Sequence, residues 1–343
     1  MQITTVGLDL AKHVFQVHGI DERGVAVIRK RLRRAEVLRF FAGLNPCLVG
    51  MEACATAHHW GRELTKLGHT VKLIPPAYVK PYVRRGKNDA ADAEAICEAV
   101  GRPNMRFVPL KGVDQQAVLM LHRTRALLVA QRTMLANALR AHLAEFGIIV
   151  AQGIGRIGGL IEAIFSKGEQ ACELPPLARI ALEPLALQFL QLQPRIKTIE
   201  AELLAWHRTN QESRRLETIP GVGFMTATAI AATVSDASQF RSGREFAAWL
   251  GLAPRQNSSG GKERLGRVSK MGNRYLRSLL FVGATAVIRF ARSKASARTA
   301  WINALLARKP AKVAAVALAN KMARITWAVL ARKEAYRAPA LPA

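Results

Sequence analysis

Cysteine is scarce in this sequence, and its spacing is not that of a metal or disulfide framework. Four cysteines occur in 343 residues, and no two of them form a Cys-x-x-Cys pair. They are Cys47, Cys54, Cys97 and Cys172. We therefore expect neither a zinc site nor a set of disulfides, which agrees with a reducing cytoplasm.

Long apolar runs are also missing. Arg156 and Arg289 interrupt the best candidates for a stretch of 18 apolar residues, and no signal peptide precedes Thr4. Both features predict a cytoplasmic protein with no membrane partner. Half of the residues are nevertheless apolar, which excludes a mainly disordered chain. A chain of this length should form two or three domains.

Acidic residues are few relative to basic ones. The chain has 51 Lys and Arg against 24 Asp and Glu, which gives a formal net charge of +27. Residues 219–343 alone hold 21 basic residues and only 4 acidic ones. Nucleic acid is the natural partner for such an excess, and binding to it should weaken steeply with salt. A solvated or membrane-facing basic surface is the alternative.

The first hundred residues alternate short β-rich runs with helical patterns. Strand, strand, strand, helix, strand, helix, strand is the element order of the ribonuclease-H-like fold, although many α/β domains share much of it. The predicted strands are Thr4–Leu10, His13–Ile20, Gly24–Leu32, Cys47–Glu52 and Thr70–Ile74. The predicted helices are Ala35–Leu44 and Ala57–Leu67.

The middle of the chain is dominated by helical patterns. No glycine or proline occurs from Asp114 to Phe146, where apolar residues recur every seven positions in two adjacent series. The series are Met120, Leu127, Met134 and Leu121, Leu128, Leu135. This pattern predicts a long helix that packs on another, from the same chain or a second copy, as in a coiled coil. A second helix is predicted near Leu185–His207, kinked or broken at Pro194.

The C-terminal third opens with Ile219-Pro220-Gly221-Val222-Gly223 and the apolar helical run Met225–Val234. This resembles a helix-hairpin-helix, in which Gly221 and Gly223 free backbone N–H groups to hold a phosphate; an ordinary interhelical turn is an equal alternative. Further helices are predicted at Arg244–Leu250, Asn273–Arg292 and Lys312–Arg332, around a polar loop at Ala253–Gly272. We expect an α/β domain at 1–110, a helical coiled-coil region at 111–215, and a mostly helical domain at 216–343.

Four acidic residues occupy unusual positions. Asp9 interrupts the first apolar strand, Glu52 ends another, and Asp89 and Asp92 begin a helix on one face. Four converging carboxylates would repel one another unless a divalent cation bound them, and oxygen ligands favour Mg²⁺ or Mn²⁺, the ions of phosphoryl chemistry. Each acid also has a structural alternative, as a helix cap or a salt-bridged core residue.

The predicted polar loop places Ser258 and Ser259 among glycines and cations. Serines between glycines usually form only turns, but these cations could hold a phosphate beside a hydroxyl and stabilise a phosphoryl-transfer transition state. No histidine nearby in the sequence could act as the base, so the activating group would come from elsewhere. The residues expected to bind nucleic acid are Arg255, Lys262, Arg264, Arg267, Lys270, Arg274, Gly221 and Gly223.

Six motifs resemble, in order, those of the DEDD-type insertion-sequence transposases, the bridge-RNA-guided recombinases related to Piv-type DNA invertases. The similarity spans nearly the whole chain, and the order of the six motifs is highly specific. The motifs are Gly7-Leu8-Asp9-Leu10-Ala11-Lys12, Met51-Glu52-Ala53-Cys54, Lys87-Asn88-Asp89-Ala90-Ala91-Asp92-Ala93, Ile219-Pro220-Gly221-Val222-Gly223, Phe246-Ala247-Ala248-Trp249-Leu250-Gly251-Leu252-Ala253-Pro254-Arg255 and Ser269-Lys270-Met271-Gly272-Asn273.

The resemblance implies a RuvC-like N-terminal domain in which Asp9, Glu52, Asp89 and Asp92 bind Mg²⁺, and a C-terminal domain with a serine nucleophile. Ser259, directly before Gly260, fits the family pattern better than Ser258 does. Family members are thought to form a covalent phosphoserine with DNA, with acids from one subunit and serine from another. The resemblance further implies a bacterial, nucleoid-associated tetramer that binds donor DNA, target DNA and a structured bridge RNA.

Two other functions would fit part of the sequence. A hydrolytic ribonuclease-H-like nuclease, such as a junction resolvase, accounts for the acids but gives the serine loop no catalytic purpose. A basic nucleic-acid-binding protein without enzymatic activity accounts for the charge but not for acids in apolar strands. Only the transposase hypothesis accounts for the acids, the serine loop and the basic charge together.

Overall fold

The apolar alternation near the N-terminus forms a five-stranded sheet. The computed structural model describes residues 2–83, 89–165, 174–293 and 300–337. The chain divides into two compact units: the first is Met1–Gln115 with Val234–Asp236, and the second is Gln116–Thr233 with Ala237–Ala343. Cys172 and the Lys87-Asn88 start of the third sequence motif lie outside the described residues.

The sheet of the first unit has the strand order β3-β2-β1-β4-β5. β2 pairs antiparallel with β1 and β3, whereas β4 pairs parallel with β1 and β5. The strands are β1 Thr5–Asp9, β2 Val14–Ile20, β3 Ala26–Arg33, β4 Leu48–Glu52 and β5 Thr70–Ile74. All five predicted strands are confirmed, with ends that differ by at most two residues.

Helices cover both faces of this sheet. α1 and α2 share a buried cluster with Val6, Leu8 and Met51, while α4 packs on the opposite face against β1, β2 and β4. The helices are α1 Val37–Ala42, α2 Ala57–Lys66, α3 Pro76–Val79 and α4 Asp89–Val100. Because successive side chains of a strand alternate between faces, β1 presents Val6 and Leu8 to one layer and Gly7 to the other.

In the described residues of the second unit, the elements are helices and one short β-hairpin. α5 begins in the first unit and continues into the second. The elements are α5 Val113–Ala144, α6 Arg156–Phe165, α7 Pro176–Thr209, α8 Gln211–Glu217, α9 Phe224–Thr233, α10 Gly243–Trp249, β6 Pro254–Gln256, β7 Leu265–Val268, α11 Arg274–Ser293, α12 Ala300–Leu306 and α13 Ala311–Arg332. The predicted helices of this region are confirmed, and the predicted polar loop is corrected to a hairpin.

The two long helices, α5 and α7, lie antiparallel. Arg125 of α5 contacts Glu200 of α7 at 2.6 Å, and seven residues further along α5, Arg132 contacts Gln193. Of the two predicted effects of Pro194, a kink or a break, the break is wrong, because α7 continues through this residue. Burial of Leu192 and Ile196 on either side of the proline offsets its lost backbone hydrogen bond.

The two heptad series of α5 have different surroundings. Leu135 is buried and Leu121 and Leu128 are half-buried. Met120, Leu127 and Met134 are 63%, 58% and 64% exposed. One series therefore packs within the chain and the other faces outward, and the coiled-coil region stays a prediction.

A buried polar contact joins three helices of the second unit. His122 of α5 is 1% exposed; its Nδ1 lies 3.0 Å from the Tyr275 hydroxyl and its Nε2 3.1 Å from Thr228 Oγ1. Both ring nitrogens thus have partners on α11 and α9. Burial, with a smaller contribution from the Arg125 charge, lowers the pKa of His122 to about 4, so the ring is neutral at physiological pH.

α13 is the helix of the described chain that is long and apolar enough to cross a membrane by length and composition. Half of its most apolar window is buried, and it packs on α10 and α11. Lys321 and Arg324 interrupt its apolar surface. These features are those of a core helix in a folded domain.

Candidate active site

The parallel pairing of β1 and β4 brings two acids to one edge of the sheet. Leu8 pairs with Met51, so the residues that follow them, Asp9 and Glu52, stand side by side where both strands end. Both side chains are half-buried. The prediction that these acids share an edge agrees with this register.

Close packing of α4 on the sheet adds two more acids. A Cβ on Gly7 would overlap the carbonyl oxygen of Ala93, so only glycine lets α4 approach β1 this closely. Asp89 and Asp92 lie in the first turn of this helix; Asp89 is one turn before the contact at Ala93, and Asp92 directly precedes it. The helix start is thereby held against the end of β1.

Three carboxylates converge at this point. Oxygen atoms of Asp9, Asp89 and Asp92 all lie within 4.8 Å of one another. Glu52 is outside this group of three but close enough for its charge to interact with Asp9 and Asp92. The structure thus brings three of the four predicted acids together and places the fourth beside them.

Burial and the neighbouring acids both raise the pKa values of Asp9 and Glu52. Burial, followed by the charges of Asp92 and Asp89, raises the pKa of Asp9, although the backbone N–H of Leu10 opposes the shift. Burial, followed by the charges of Asp9 and Asp92, raises the pKa of Glu52. Within the described part of the chain, none of the four forms an ion pair with Lys or Arg. Carboxylate oxygens that are partly buried and have no cationic side chain as partner are suitable ligands for a hard divalent cation.

The second candidate element is the hairpin of β6 and β7 in the second unit. The ribbon extends beyond the strands, since Asn257 N–H donates to Arg264 O at 2.9 Å and Lys262 N–H donates to Ser259 O at 3.1 Å. Gly260 and Gly261 form the turn with φ of +57° and +78°, values that favour glycine at both central positions of such a turn. The hairpin replaces the irregular loop predicted from composition because two adjacent glycines permit this tight reversal.

The two serines of the hairpin have different contacts. Ser258 Oγ accepts a hydrogen bond from Arg264 N–H at 3.3 Å. Ser259, next to the turn, is exposed, and its hydroxyl has no hydrogen-bond partner among the described residues. Of the two hydroxyls, that of Ser259 is therefore the accessible one.

The base of the hairpin is fixed by backbone contacts. A Cβ on Gly251 would overlap Met271 O, and one on Gly272 would overlap Trp249 O. Arg277 of α11 donates from Nη1 to Leu250 O at 2.8 Å and to Met271 O at 2.9 Å. Arg277 thus holds together the two segments that flank the hairpin. The sequence prediction missed this residue, although it lies one helical turn after Arg274, which was predicted to bind nucleic acid.

The cations predicted to bind nucleic acid are exposed around this hairpin. They are Arg255, Lys262, Arg264, Arg267, Lys270 and Arg274. The two glycines of the predicted phosphate motif differ: Gly221 has φ of +85° and packs against Gly283 of α11, whereas Gly223 is exposed before α9. Packing on α11 alone is sufficient to require glycine at position 221.

Comparisons with known proteins match both the region of the acids and the region of the serine hairpin. A family model described as "Transposase IS116/IS110/IS902 family" matches residues 213–300, and a DEDD transposase domain of the IS110 type matches residues 6–148. A "Probable family 20 transposase" of Pseudomonas aeruginosa is 50% identical, covering 98% of this chain and 99% of the relative. The chain belongs to this transposase family.

Two relatives carry the names of their insertion sequences. The transposase for insertion sequence element IS1111A of Coxiella burnetii is 42% identical, covering 98% of this chain and 92% of the relative. The transposase for IS1328 of Yersinia enterocolitica is 41% identical, covering 95% and 96%. The predicted family and the predicted enzymatic action on DNA are confirmed, which excludes a binding protein without activity.

The two family matches cover different candidate elements. Residues 6–148 include all four acids, and residues 213–300 include the serine hairpin. DEDD transposases typically use divalent metals, and the cluster of Asp9, Asp89 and Asp92 could hold such an ion. The transposase of an insertion sequence thus has candidate catalytic groups in both of its matched regions.

Proposed function

We propose that this transposase cuts and rejoins DNA through a covalent Ser259 intermediate, with Asp9, Glu52, Asp89 and Asp92 binding Mg²⁺ or Mn²⁺. The observation that carries the proposal is the convergence of the Asp9, Asp89 and Asp92 carboxylates within 4.8 Å. Burial of Asp9 without a cationic partner in the described chain is costly unless the acids bind an ion. A DNA-processing family makes the phosphodiester the natural substrate of this site.

The acids would hold and orient the scissile phosphate through the ion they bind. A bound divalent cation supplies charge neutralisation at the phosphate oxygens. β1, β4 and the first turn of α4 fix the acids.

Ser259 would supply the nucleophile. Its Oγ attacks the phosphorus and loses its proton to a base; the new Ser–O–P bond replaces the bond to a sugar oxygen, which takes up a proton. Rejoining is the reverse attack by a sugar hydroxyl, which restores the free serine. The exposed hydroxyl of Ser259 supports its assignment over Ser258, whose Oγ accepts from Arg264 N–H.

The fold proposed for the first unit is RuvC-like, that is, ribonuclease-H-like. The strand order β3-β2-β1-β4-β5, with β2 antiparallel to its neighbours, supports this assignment. So does the position of the acids at the end of β1, the end of β4 and the start of a helix. In this proposal the four acids form one catalytic centre.

We extend the proposal to a bridge RNA and to a tetramer built from dimers in the bacterial cytoplasm at the nucleoid, on the basis of the family resemblance. The net charge of +27 supports several nucleic-acid partners. The outward heptad series of Met120, Leu127 and Met134 on α5 supports pairing with a second copy as a coiled coil. The three-part division at residues 110 and 215 belongs to the same proposal.

Trapping of a protein–DNA adduct tests the serine and the acids separately. Wild-type enzyme with Mg²⁺ and element-end DNA should yield an adduct that survives denaturation, as should Ser258→Ala, whereas Ser259→Ala should yield none. Asp9→Asn should abolish adduct formation in Mg²⁺ and in Mn²⁺. Cleavage by Ser259→Ala at the wild-type rate would support the hydrolytic nuclease instead, in which water attacks the phosphate.

A further inference from the structure

A groove of about 1470 Å³ lies within the second unit beside the serine hairpin. α13 forms one side, and the start of α10, Trp301 of α12 and the base of the hairpin form the others. Sites for single small molecules enclose about 300–1,000 Å³. The groove therefore has room for a polymer segment rather than for one small ligand.

The interior of the groove is apolar and aromatic. Val313 and Ala317 lie one turn apart on α13, and both line the groove together with Trp301. Trp301 is 43% exposed and Val313 is 50% exposed. Exposed apolar surface of this kind costs about 25 cal/mol per Å² until something covers it, so an occupant with flat apolar faces would be favoured.

Cations surround this apolar interior. Arg267 and Lys270 contribute from the hairpin, Lys312, Lys321 and Arg324 from α13, and Arg244 from α10. No Asp or Glu is among the described residues that line the groove. Lys321 Nζ lies over the Trp301 ring, 4.5 Å from its centre. The positive charge therefore covers one face of the indole, and a base would have to stack on the other face of this partly exposed ring.

We infer that this groove binds an unpaired DNA strand, with one base stacked on Trp301 and the adjoining phosphates held by Lys321, Arg324 and the hairpin cations. A single strand presents both chemistries the groove recognises: flat aromatic faces and a row of anions. A duplex hides its base faces in the stack. The proposed pairing of copies uses the outward face of α5, whereas the cations around this groove favour an anionic occupant.

The inference deepens the proposed function and rests on it in one respect, the path of the strand. Arg267 and Lys270 belong to the hairpin whose turn carries Ser259. A strand seated in the groove would therefore run along the hairpin toward the nucleophile. DNA cutting and rejoining leaves strands unpaired, and the groove would keep such a strand near the serine until it is rejoined.

Binding of a short fluorescent oligonucleotide to the full-length protein tests the inference. With single-stranded DNA, Trp301→Ala should raise Kd by about 5- to 150-fold, because base stacking on an aromatic ring accounts for that range. Trp301→Phe, which keeps a ring, should stay within about 3-fold of wild type. Lys321→Gln should reduce the salt dependence of binding by about one phosphate contact. Lys309→Gln, a cation of the same unit outside the groove, is the matched control.

The same binding measurements with duplex DNA and with RNA give the outcomes that would overturn the inference. Trp301→Ala should leave duplex affinity within about 3-fold of wild type, since stacking requires an unpaired base. An equal loss for duplex, or no loss for single strands in a variant with an unchanged circular dichroism spectrum, contradicts the groove assignment. Tighter Trp301-dependent binding of RNA than of DNA contradicts the assignment to DNA. Absence of a serine adduct with intact Trp301-dependent binding contradicts the proposed function alone.

Discussion

Gly272 lies against the carbonyl oxygen of Trp249 with no space for a side chain, and its φ is +77°. This contact closes the base of the hairpin, since Gly272 follows β7 and Trp249 ends α10. A methyl group at this position would have to separate the two segments. The orientation of Ser259 therefore depends on a glycine 13 positions further along the chain.

Gly272→Ala should destabilise the protein and reduce adduct formation together. The left-handed backbone and the overlap with Trp249 each cost of order 1–3 kcal/mol. Thermal unfolding and adduct trapping check this expectation. Gly158→Ala is the control, because position 158 is helical with open space around it and alanine there should stabilise by up to about 1 kcal/mol. Unchanged stability of Gly272→Ala would contradict the proposed hairpin base.

Gly7→Ala should weaken metal binding without removing any acid. The new Cβ would push α4 away from β1, at a cost of about 1–3 kcal/mol, and Asp89 and Asp92 would move with the helix. Calorimetric titration with Mn²⁺ measures the loss of affinity. Gly43→Ala, where a Cβ would meet only an ordinary contact at 3.5 Å, should titrate like wild type. Wild-type affinity for Mn²⁺ in a folded Gly7→Ala protein would show that the metal site does not depend on the position of α4.

Asp9→Asn should stabilise the metal-free protein at neutral pH while abolishing its response to metal. The pKa of Asp9 is raised in the folded state by burial and by Asp92 and Asp89. Folding is therefore favoured by this group at low pH, and that contribution is lost as pH rises through the raised pKa. The variant should show a higher Tm than wild type at pH 7 and a smaller decline of Tm with rising pH.

The metal arm of the same experiment separates function from stability. Mg²⁺ should raise the Tm of the wild type, because it binds the folded state, and should leave Asp9→Asn unchanged. Glu22→Gln, a change at an exposed acid elsewhere in the first unit, is the control and should keep the metal response. A lower metal-free Tm for Asp9→Asn would mean that the carboxylate serves the fold instead of an ion.

His122 should make the second unit sensitive to acid. Its pKa of about 4 in the folded state lies below its ordinary value of 6.5. The unfolded chain binds a proton first as pH falls, so stability should decrease between pH 6.5 and 4, by up to about 3 kcal/mol from this residue. Denaturant unfolding of His122→Gln should show a flatter pH dependence than wild type. His142→Gln, an exposed position on the same helix, should keep the wild-type dependence.

Local sequence patterns predicted the elements of the first unit well. Apolar alternation set the strands, and the interruption of β1 by Asp9 marked the acid that the sheet then places beside Glu52. The contact of Gly7 with Ala93 was not predictable, because it joins residues 86 positions apart through tertiary packing. Sequence named the acids, and only the packing of α4 shows how three of them meet.

Sequence patterns were less informative about the second unit. Composition indicated a polar loop where two glycines with positive φ form a hairpin. The rule that proline breaks helices failed at Pro194, because the buried side chains around it outweigh one hydrogen bond. The groove had no local signal, since Trp301 and Lys321 are 20 positions apart and become neighbours only through α12 and α13.

The two adjacent serines lie on the paired ribbon that leads to the turn. Consecutive side chains on such a ribbon project to opposite sides, so Ser258 and Ser259 offer their hydroxyls to different halves of the surrounding space. Lengthening the segment before the turn by a single residue would exchange the two sides. A nucleophile one position away along the chain would thus project from the opposite side of the ribbon. A substrate bound on one side can therefore contact only one of the two hydroxyls.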